Sequence, residues 1–266
     1  MKSEFDAKRS GTGTKEWAEV TENIQRGCAN NCLYCYAAYN ANRFGQRKRS
    51  EWAREELTGR ANMHTYSSRD GVIMFPSSHD ITPFNVDYFT DIAALILAKN
   101  NRLLIVSKPR RYCIDRLTAV LAQWRRQILF RFTIGAIDEK LTTLWEPGAP
   151  HPMDRLASLS DAEARGFDTS VSIEPMLAGV EETLRVVENV SIYNPETIWI
   201  GKMNKIRLRV SIRTPDIINA IDRIEDQQRD SEILRLYHAL KDVPTIRWKD
   251  SIKTVLQGNG IEVAHE

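Results

Sequence analysis

The stretch LLIVSKPRRYCIDRLTAVLAQWRRQILFRFTI, Leu103 to Ile134, contains two short apolar segments separated by a segment with helical spacing. Leu103–Ser107 and Ile128–Ile134 are rich in β-branched and aromatic residues, which predicts two buried strands. Between them, Arg111–Arg126 places its apolar residues on one helical face. Two strands joined through a helix form a crossover unit, so this stretch predicts two parallel strands in one sheet.

The same alternation extends in both directions along the chain. Further strands are predicted at Gly71–Phe75, Thr169–Ile173 and Thr197–Ile200, with a sixth near Val20–Gln25. Further helices are predicted at Asp87–Lys99, Pro152–Arg165 and Pro215–Lys241, and the first two of these end at good stop signals. Six strands alternating with helices predict a parallel sheet wound into a barrel or left open, with functional residues at the carboxyl ends of the strands.

The composition excludes several classes of protein. The chain has 266 residues, 42% of them hydrophobic and 27% charged, with a formal net charge of +2, as in an ordinary soluble globular protein. The longest apolar run, Ile92–Ala98, is far shorter than the roughly 20 residues of a membrane span. The amino terminus, MKSEFDAKRS, lacks the apolar segment of an export signal. We therefore expect a cytoplasmic protein without a membrane partner.

Three of the four cysteines are clustered. Cys28, Cys32 and Cys35 have the spacing Cys-x3-Cys-x2-Cys, whereas Cys113 is alone and is expected in the core. Soft thiolates suit an iron–sulfur cluster, which normally takes four such ligands, so three would leave one iron open. The alternative is a zinc site completed by His64, His79 or another histidine, although zinc usually draws on two paired ligand groups.

The cysteine spacing, with an aromatic residue before the third cysteine, resembles the radical S-adenosylmethionine (radical SAM) superfamily. The resemblance implies a [4Fe–4S] cluster whose open iron binds SAM, and a single domain over residues 1–266. That domain would be a (βα)6 partial TIM barrel over about residues 20–210, with a short amino-terminal extension and a helical carboxyl-terminal one over about residues 211–266. It also implies an external electron donor of the flavodoxin or ferredoxin type.

A narrower resemblance, to the spore photoproduct lyase-like branch, rests on three segments. Trp145–Pro150 (WEPGAP) followed by Arg155-Leu156 and Ala164–Phe167 is similar to a pattern LEPxxP…RL…LxxxG after the fourth strand. Val106–Arg110 and Ser77–Asp80 are similar to the ends of that branch's third and second strands. Trp145 and Ser107 depart from the expected Leu and Thr.

The resemblance also implies roles for individual residues. Lys108 would act at the catalytic centre and bind the carboxylate or ribose of SAM, and Tyr34 would lie near the adenine. Ordinary packing, turn chemistry and strand propensity are the competing explanations for the other candidates. The implied SAM contacts are Tyr34, Tyr36, Ser77, Ser78, Asp80, Lys108, Thr133 and Glu174.

Basic residues follow three of the predicted strand ends. Trp199, Lys202 and Asn204, around the end of the sixth strand, are candidates for lining a substrate site. A basic rim suits a nucleotide or nucleic-acid substrate, and a solvated surface is the competing explanation. We therefore expect a radical SAM enzyme of the lyase or isomerase type. The alternatives are a zinc-binding nucleic-acid interaction protein, a ferredoxin-like electron carrier and an inactive homologue. The basic groups are Arg43, Arg47, Lys48 and Arg49; Lys108, Arg110 and Arg111; and Lys202, Lys205, Arg207 and Arg209.

Overall fold

A computed structural model of the chain describes Phe5 and residues 11–262. Its central element is a parallel seven-stranded sheet, and a separate antiparallel pair is formed by β2 (Gln25–Arg26) and β3 (Glu56–Leu57). The strands of the main sheet, in their spatial order, are β1 (Val20–Thr21), β4 (Val72–Met74), β5 (Arg102–Ser107), β6 (Ile128–Thr133), β7 (Asp168–Ile173), β8 (Ile198–Ile200) and β9 (Ile246–Trp248).

Helices connect these strands, as parallel pairing requires. Short 3₁₀ helices cover Gly13–Glu16, Arg49–Glu51, Gly59–Asn62 and Ala122–Gln127. The α-helices are α1 (Tyr36–Arg43), α2 (Val86–Leu97), α3 (Arg111–Val120), α4 (Glu139–Trp145), α5 (Pro152–Ala164), α6 (Val180–Ser191), α7 (Ile206–Arg209), α8 (Pro215–Gln227), α9 (Asp230–Leu240) and α10 (Asp250–Gly258).

The sheet confirms the predicted strands and adds one. All five clear predictions correspond to strands, and the suspected sixth is the two-residue β1, which pairs with β4. The count of six was wrong, because β9 pairs in parallel with β8 inside the carboxyl-terminal region that was expected to be helical. Its three residues, Ile-Arg-Trp, are too few to show a strand period.

The helix predicted over Pro215–Lys241 is two helices. α8 ends at Gln227 and α9 begins at Asp230, with Gln228 between them only 3% exposed. The Gln228 amide donates to the carbonyls of Met176 and Ala178, 2.9 Å from each, and its oxygen accepts from the amide of Met203 at 2.8 Å. These tertiary hydrogen bonds stabilise the interruption between the two helices. The helical periodicity of the sequence could not predict it, because the partners of Gln228 are distant in the chain.

Both faces of the sheet are buried, as in parallel sheets generally. Along β5, Leu103 and Ile105 belong to the large outer core beneath the helices, whereas Leu104 belongs to an inner cluster with Trp17 and Trp199. An enclosed inner cluster is what a curled sheet produces, in agreement with the expected partial barrel. Within the described residues no helix is long and apolar enough to cross a membrane.

Candidate functional site

The loop that carries the three clustered cysteines, residues 27–35, joins β2 to α1. Cys28 and Cys32 are 8% and 7% exposed, and Cys35 caps α1 by accepting a hydrogen bond from the amide of Ala38. We call this segment the cysteine loop. It lies between the two strands of the antiparallel pair, so β2, and not a strand of the main sheet, leads directly into the loop.

One side of the cysteine loop packs on the segment that follows α1. The amide of Cys28 donates to the carbonyl of Trp52 at 2.8 Å. Gly27 has a positive φ of 77°, and a Cβ on it would lie 2.1 Å from the carbonyl oxygen of Arg54. Arg49 donates to the side chain and carbonyl of Asn31 and to the carbonyl of Cys32. The segment thereby fixes the loop backbone at three points.

Asn30 fixes the other side of the loop to the main sheet. Its amide donates to Asp80 at 2.7 Å, and its side-chain oxygen accepts from Arg110 at 2.8 Å. Its carbonyl accepts from the amide of Gly148 at 3.1 Å. A Cβ on Gly148 would lie 2.0 Å from the carbonyl oxygen of Ala29, so only glycine allows this approach. Sequence reasoning identified Gly148 only within a pattern, and it missed Asn30.

Asp80 acts as a buried junction between the loop and the ends of β4 and β5. One carboxylate oxygen accepts from Asn30 and from the amide of Lys108, and the other accepts from the hydroxyl of Ser107 and the amide of Ile81. Asp80 is 7% exposed. These four hydrogen bonds hold the cysteine loop against the ends of β4 and β5.

A second buried carboxylate, Glu146, lies in the WEPGAP segment. Arg155 pairs with it at 2.6 Å, both side chains being fully buried, and Lys108 lies 3.7 Å away. The hydroxyl of Tyr34 also donates to Glu146. Burial alone would raise the pKa of Glu146, but Arg155 and Lys108 hold it below its usual value. The network joins the cysteine loop to the ends of β5 and α4.

Lys108 and Tyr34, both expected to touch SAM, therefore lie against each other beside the loop. The ammonium of Lys108 is 5.7 Å from the centre of the Tyr34 ring, and its side chain is 15% exposed. Tyr36 is 39% exposed, and its hydroxyl donates to the carbonyl of Ser77. The two tyrosines thus face different neighbours, although only Cys35 separates them along the chain.

Ser77 and Ser78 lie beyond β4 and are held by Asn23, which sequence reasoning missed. The side-chain oxygen of Asn23 accepts from both serine amides, at 2.9 and 2.8 Å, and its nitrogen donates to the Ser77 hydroxyl at 2.8 Å. The Ser78 hydroxyl has no hydrogen-bond partner among the described residues. Ser78 and Tyr36 line a cavity of about 220 Å³ beside α1.

Thr133 and Glu174 stand at the ends of β6 and β7. Thr133 is 6% exposed and pairs in register with Ser172. Glu174 lies 3.5 Å from the ammonium of Lys249, and burial raises the pKa of Glu174 while Lys249 opposes that rise. Lys249 also pairs with Glu16 at 2.7 Å. Lys249 and Glu16 were missed because they lie outside the predicted barrel core.

Most side chains of the predicted basic rim form hydrogen bonds or ion pairs with other residues of the protein. Arg49 and Arg110 hold the cysteine loop, while Arg111 pairs with Asp161 at 2.6 Å. Arg207 pairs with two carboxylates of α8, and Lys202 lies 3.7 Å from Asp230. The charge available to a substrate is therefore smaller than the sequence suggested. Trp199 points into the barrel beside Trp17 and is 8% exposed.

Two further predictions concern Cys113 and the zinc alternative. Cys113 is fully buried in the outer core, as expected. His79 accepts from the amide of Ile24 through Nε2 and donates to the carbonyl of Asp80 through Nδ1, so both ring nitrogens are used. Over the described chain, no three His, Cys, Asp or Glu side chains are placed to hold a single ion. In a [4Fe–4S] cluster each thiolate binds a different iron, so the three sulfur atoms can lie farther apart than the ligands of a single ion.

Comparison with solved structures identifies the fold. A tyrosine-to-phenylalanine variant of spore photoproduct lyase matches with a TM-score of 0.58 and 13% identity, over 91% of this chain and 79% of that chain. A double variant with AdoMet and dinucleoside spore photoproduct bound matches with a TM-score of 0.54 and 14% identity, over 88% and 76%. A cysteine-to-serine variant matches with a TM-score of 0.55 and 14% identity, over 90% and 77%.

No protein-family model matches the chain, and no curated protein matches it in sequence. At identities of 13–14% the likeness to the solved structures is one of fold. It extends over about nine-tenths of the chain. The chain has the α/β fold of spore photoproduct lyase, which confirms at the level of fold the resemblance seen in its sequence.

Proposed function

We propose that the chain is a radical SAM enzyme, with Cys28, Cys32 and Cys35 as the protein ligands of a [4Fe–4S] cluster. The observation that supports this proposal is that Asp80 holds the cysteine loop, through hydrogen bonds, against the carboxyl ends of β4 and β5. Once bound, the cluster would bind SAM at its open iron and supply the electron that cleaves it to a 5′-deoxyadenosyl radical. Spore photoproduct lyase has been solved with AdoMet bound, which supports the same cofactor here.

The donor set fits such a cluster. The three thiols lie on one short loop, and two of them are almost fully buried, which limits access of solvent and oxidants. Burial raises the pKa of the Cys32 thiol to about 12, so binding iron displaces a proton from it. The loop backbone is fixed by Arg49, Asn30 and Gly148, which would hold the thiols in place before the metal arrives.

Among the predicted SAM contacts, the structure favours two kinds of role. Ser78 and Tyr36 line open space, but their cavity of about 220 Å³ is smaller than the roughly 300 Å³ of typical ligand pockets, so it would take only part of the cofactor. Thr133 and Glu174 stand at strand ends, where they would contact SAM or substrate. Positioning roles fall to the residues whose polar groups are engaged within the protein, namely Tyr34, Ser77, Asp80 and Lys108.

We further propose a substrate related to nucleotides or nucleic acids. The solved lyase with dinucleoside spore photoproduct bound supports this class. The lyases that the sequence resembles use an additional cysteine as a hydrogen-atom donor. Here the one cysteine outside the loop, Cys113, is fully buried in the outer core at the start of α3. This favours a rearrangement or another reaction that needs no thiol donor from the chain.

Anaerobic reconstitution of matched cysteine variants tests the ligand assignment. We expect Cys32→Ala to lose iron, sulfide and visible absorption, because a cube held by two thiolates lacks a protein ligand. Cys113→Ala is the control, since it removes a buried thiol from the outer core, and we expect it to keep the full cluster. A full cluster in Cys32→Ala contradicts the assignment.

The loaded protein is then incubated with SAM and dithionite, and 5′-deoxyadenosine is measured. Product from wild type and Cys113→Ala, with none from Cys32→Ala, supports the proposed function. One zinc per chain and no sulfide would identify the zinc-binding alternative instead. A full cluster without 5′-deoxyadenosine, even with candidate nucleotides present, would identify an inactive homologue.

A further inference from the structure

Two polar side chains inside the barrel have no hydrogen-bond partner among the described residues. They are the hydroxyl of Ser172 on β7 and the indole N–H of Trp199 on β8. Ser172 is fully buried and Trp199 is 8% exposed. Because buried polar groups are normally hydrogen-bonded and an unpaired one is costly, these two groups require an explanation. We call the interior of the barrel the lumen, and Ser172 with Trp199 the lumen pair.

The two members of the lumen pair are neighbours on the inner face of the sheet. Ser172 pairs in register with Trp199, and adjacent strands lie only about 4.8 Å apart. Val171 and Ile173 belong to the outer core, so Ser172 between them faces inward, and Trp199 belongs to the inner cluster. Each is the last residue but one of its strand. The pair therefore places two hydrogen-bonding groups in the lumen, just below the strand ends.

The next layer down the barrel gives a direct contrast. Ser170 lies on the same strand and faces the same way as Ser172. Its hydroxyl accepts from Nε of Arg131 and donates to the carbonyl of Thr197, at 3.0 Å in both cases. The same residue type is therefore satisfied by the protein in the deeper layer and is unpartnered in the layer next to the strand ends.

Among the described residues, three other side chains have an unpartnered buried polar atom and form no hydrogen bond or ion pair. They are Trp17, Trp52 and Thr58. Trp17 lies in the same inner cluster, with its ring centre 5.9 Å from that of Trp199. Trp52 and Thr58 lie around β3, outside the main sheet. The unpartnered groups of the main sheet are thus confined to the lumen pair.

The cations beside the Trp199 ring are already engaged. The fully buried ammonium of Lys249 is 5.7 Å from the ring centre, and it pairs with Glu16 at 2.7 Å and with Glu174 at 3.5 Å. The guanidinium of Arg131 is 5.1 Å from the ring centre and donates to Ser170. The surroundings of the lumen pair therefore suit an uncharged group better than a phosphate or a carboxylate.

We propose that the lumen pair binds a carbonyl oxygen on an uncharged ring of the substrate, such as the ring of a guanine or uracil base. An indole N–H can only donate a hydrogen bond, and a serine hydroxyl can donate one too, so the matching group is an acceptor. This inference rests on the proposed function and narrows its substrate class to bases that carry a carbonyl. Ser172 and Trp199 would then determine specificity, because a base without the carbonyl leaves both groups unpaired.

SAM is the competing occupant of this part of the lumen. Its acceptors are a carboxylate, ribose oxygens and adenine nitrogens, and it has no uncharged carbonyl group. The cysteine loop is also held at the ends of β4 and β5, whereas the lumen pair lies on β7 and β8, beyond β6 in the sheet. Both observations favour the substrate.

Thermal unfolding of two serine variants tests whether the Ser172 hydroxyl belongs to the structure. In the reconstituted full-length protein, Ser172→Ala should leave Tm within about 1 °C of wild type, because no hydrogen bond is lost. Ser170→Ala is the matched control and should lower Tm by roughly 3–8 °C, because its hydrogen bonds are lost. Equal falls in Tm would show that both hydroxyls are structural and would overturn the assignment.

Calorimetric titration of the reconstituted protein with SAM, without reductant, tests the ligand. The probes are guanosine and uridine 5′-monophosphates, whose rings carry carbonyls, adenosine 5′-monophosphate, whose ring has none, and ribose 5-phosphate. We expect wild type to bind at least one carbonyl nucleotide about tenfold or more tightly than the adenosine nucleotide. Ser172→Ala and Trp199→Phe should each weaken that binding about five- to tenfold and change the binding of the other two probes less than about twofold.

Two controls carry the same chemical changes at other positions. Ser170→Ala alters the deeper layer, and Trp248→Phe alters a tryptophan of the outer core on β9. Both should bind the carbonyl nucleotide within about twofold of wild type. Equal weakening in these controls, or no weakening in the lumen-pair variants, would show that the pair does not read the base.

The remaining outcomes separate this inference from the proposed function. If Ser172→Ala or Trp199→Phe weakens SAM binding in the absence of nucleotide, the lumen pair belongs to the SAM site and the inference is wrong. If wild type binds no nucleotide but still forms 5′-deoxyadenosine, the nucleotide substrate and this inference fail together, whereas the radical SAM activity stands. Absence of a [4Fe–4S] cluster overturns the proposed function itself, and iron analysis detects it before any titration.

Discussion

Replacement of Gly148 by alanine tests the contact that holds the cysteine loop to the barrel. The new Cβ would lie 2.0 Å from the carbonyl oxygen of Ala29 and 3.2 Å from the carbonyl carbon of Asn30, whereas ordinary contact begins at 3.4 Å. The closest contact is backbone, which cannot turn away as a flexible side chain could. The loop and the WEPGAP segment must therefore separate by more than 1 Å.

The expected cost follows from what this separation breaks. Overpacking of a rigid contact costs about 1–3 kcal/mol. The hydrogen bonds from the Gly148 amide to Asn30 and from Arg110 to the Gly148 carbonyl are strained or lost, at about 1 kcal/mol each. The total of about 3–5 kcal/mol corresponds to a fall in Tm of roughly 6–20 °C.

Thermal unfolding followed by circular dichroism measures this fall, and iron analysis after reconstitution measures loop placement. We expect Gly148→Ala to bind less than half of the wild-type iron. Gly59→Ala is the control, because a Cβ there meets nothing within 4 Å and its backbone φ is not positive. Unchanged Tm and full iron in Gly148→Ala would refute the close approach of the two segments.

Two other buried charges give further predictions. Arg155→Ala removes the nearer of the two cations beside the fully buried Glu146 and leaves Lys108 at 3.7 Å, so it should cost about 3 kcal/mol in urea unfolding. Arg165→Ala breaks an exposed pair and should cost under about 1 kcal/mol, and equal losses would contradict the buried network. Lys249→Met leaves Glu16 and Glu174 without their cation, which raises both carboxyl pKa values further above the unfolded value. Stability lost in this variant is regained as protons bind, so its deficit relative to wild type should be larger at pH 8 than at pH 5, and a deficit that does not change with pH would contradict the ion pairs.

Most strands of the barrel, and the clustering of the three cysteines that we propose as ligands, could be predicted from the sequence because their signals are local. The Cys-x3-Cys-x2-Cys spacing lies within eight residues, and five of the strands are apolar runs bounded by loops. β9 was missed because three residues with a central arginine have no strand period. The break after α8 was missed because Gln228 is polar, and only its distant carbonyl partners make it buried.

What only the tertiary structure decided is which polar side chains remain available for chemistry. The family resemblance implied SAM contacts for Asp80 and Lys108, and nothing in the sequence indicated that folding places Asn30 beside the first and Glu146 beside the second. These partners lie 50 and 38 residues away along the chain, beyond the reach of any local pattern. A buried polar group must be satisfied by whatever group the fold places beside it, so its role is fixed by long-range packing.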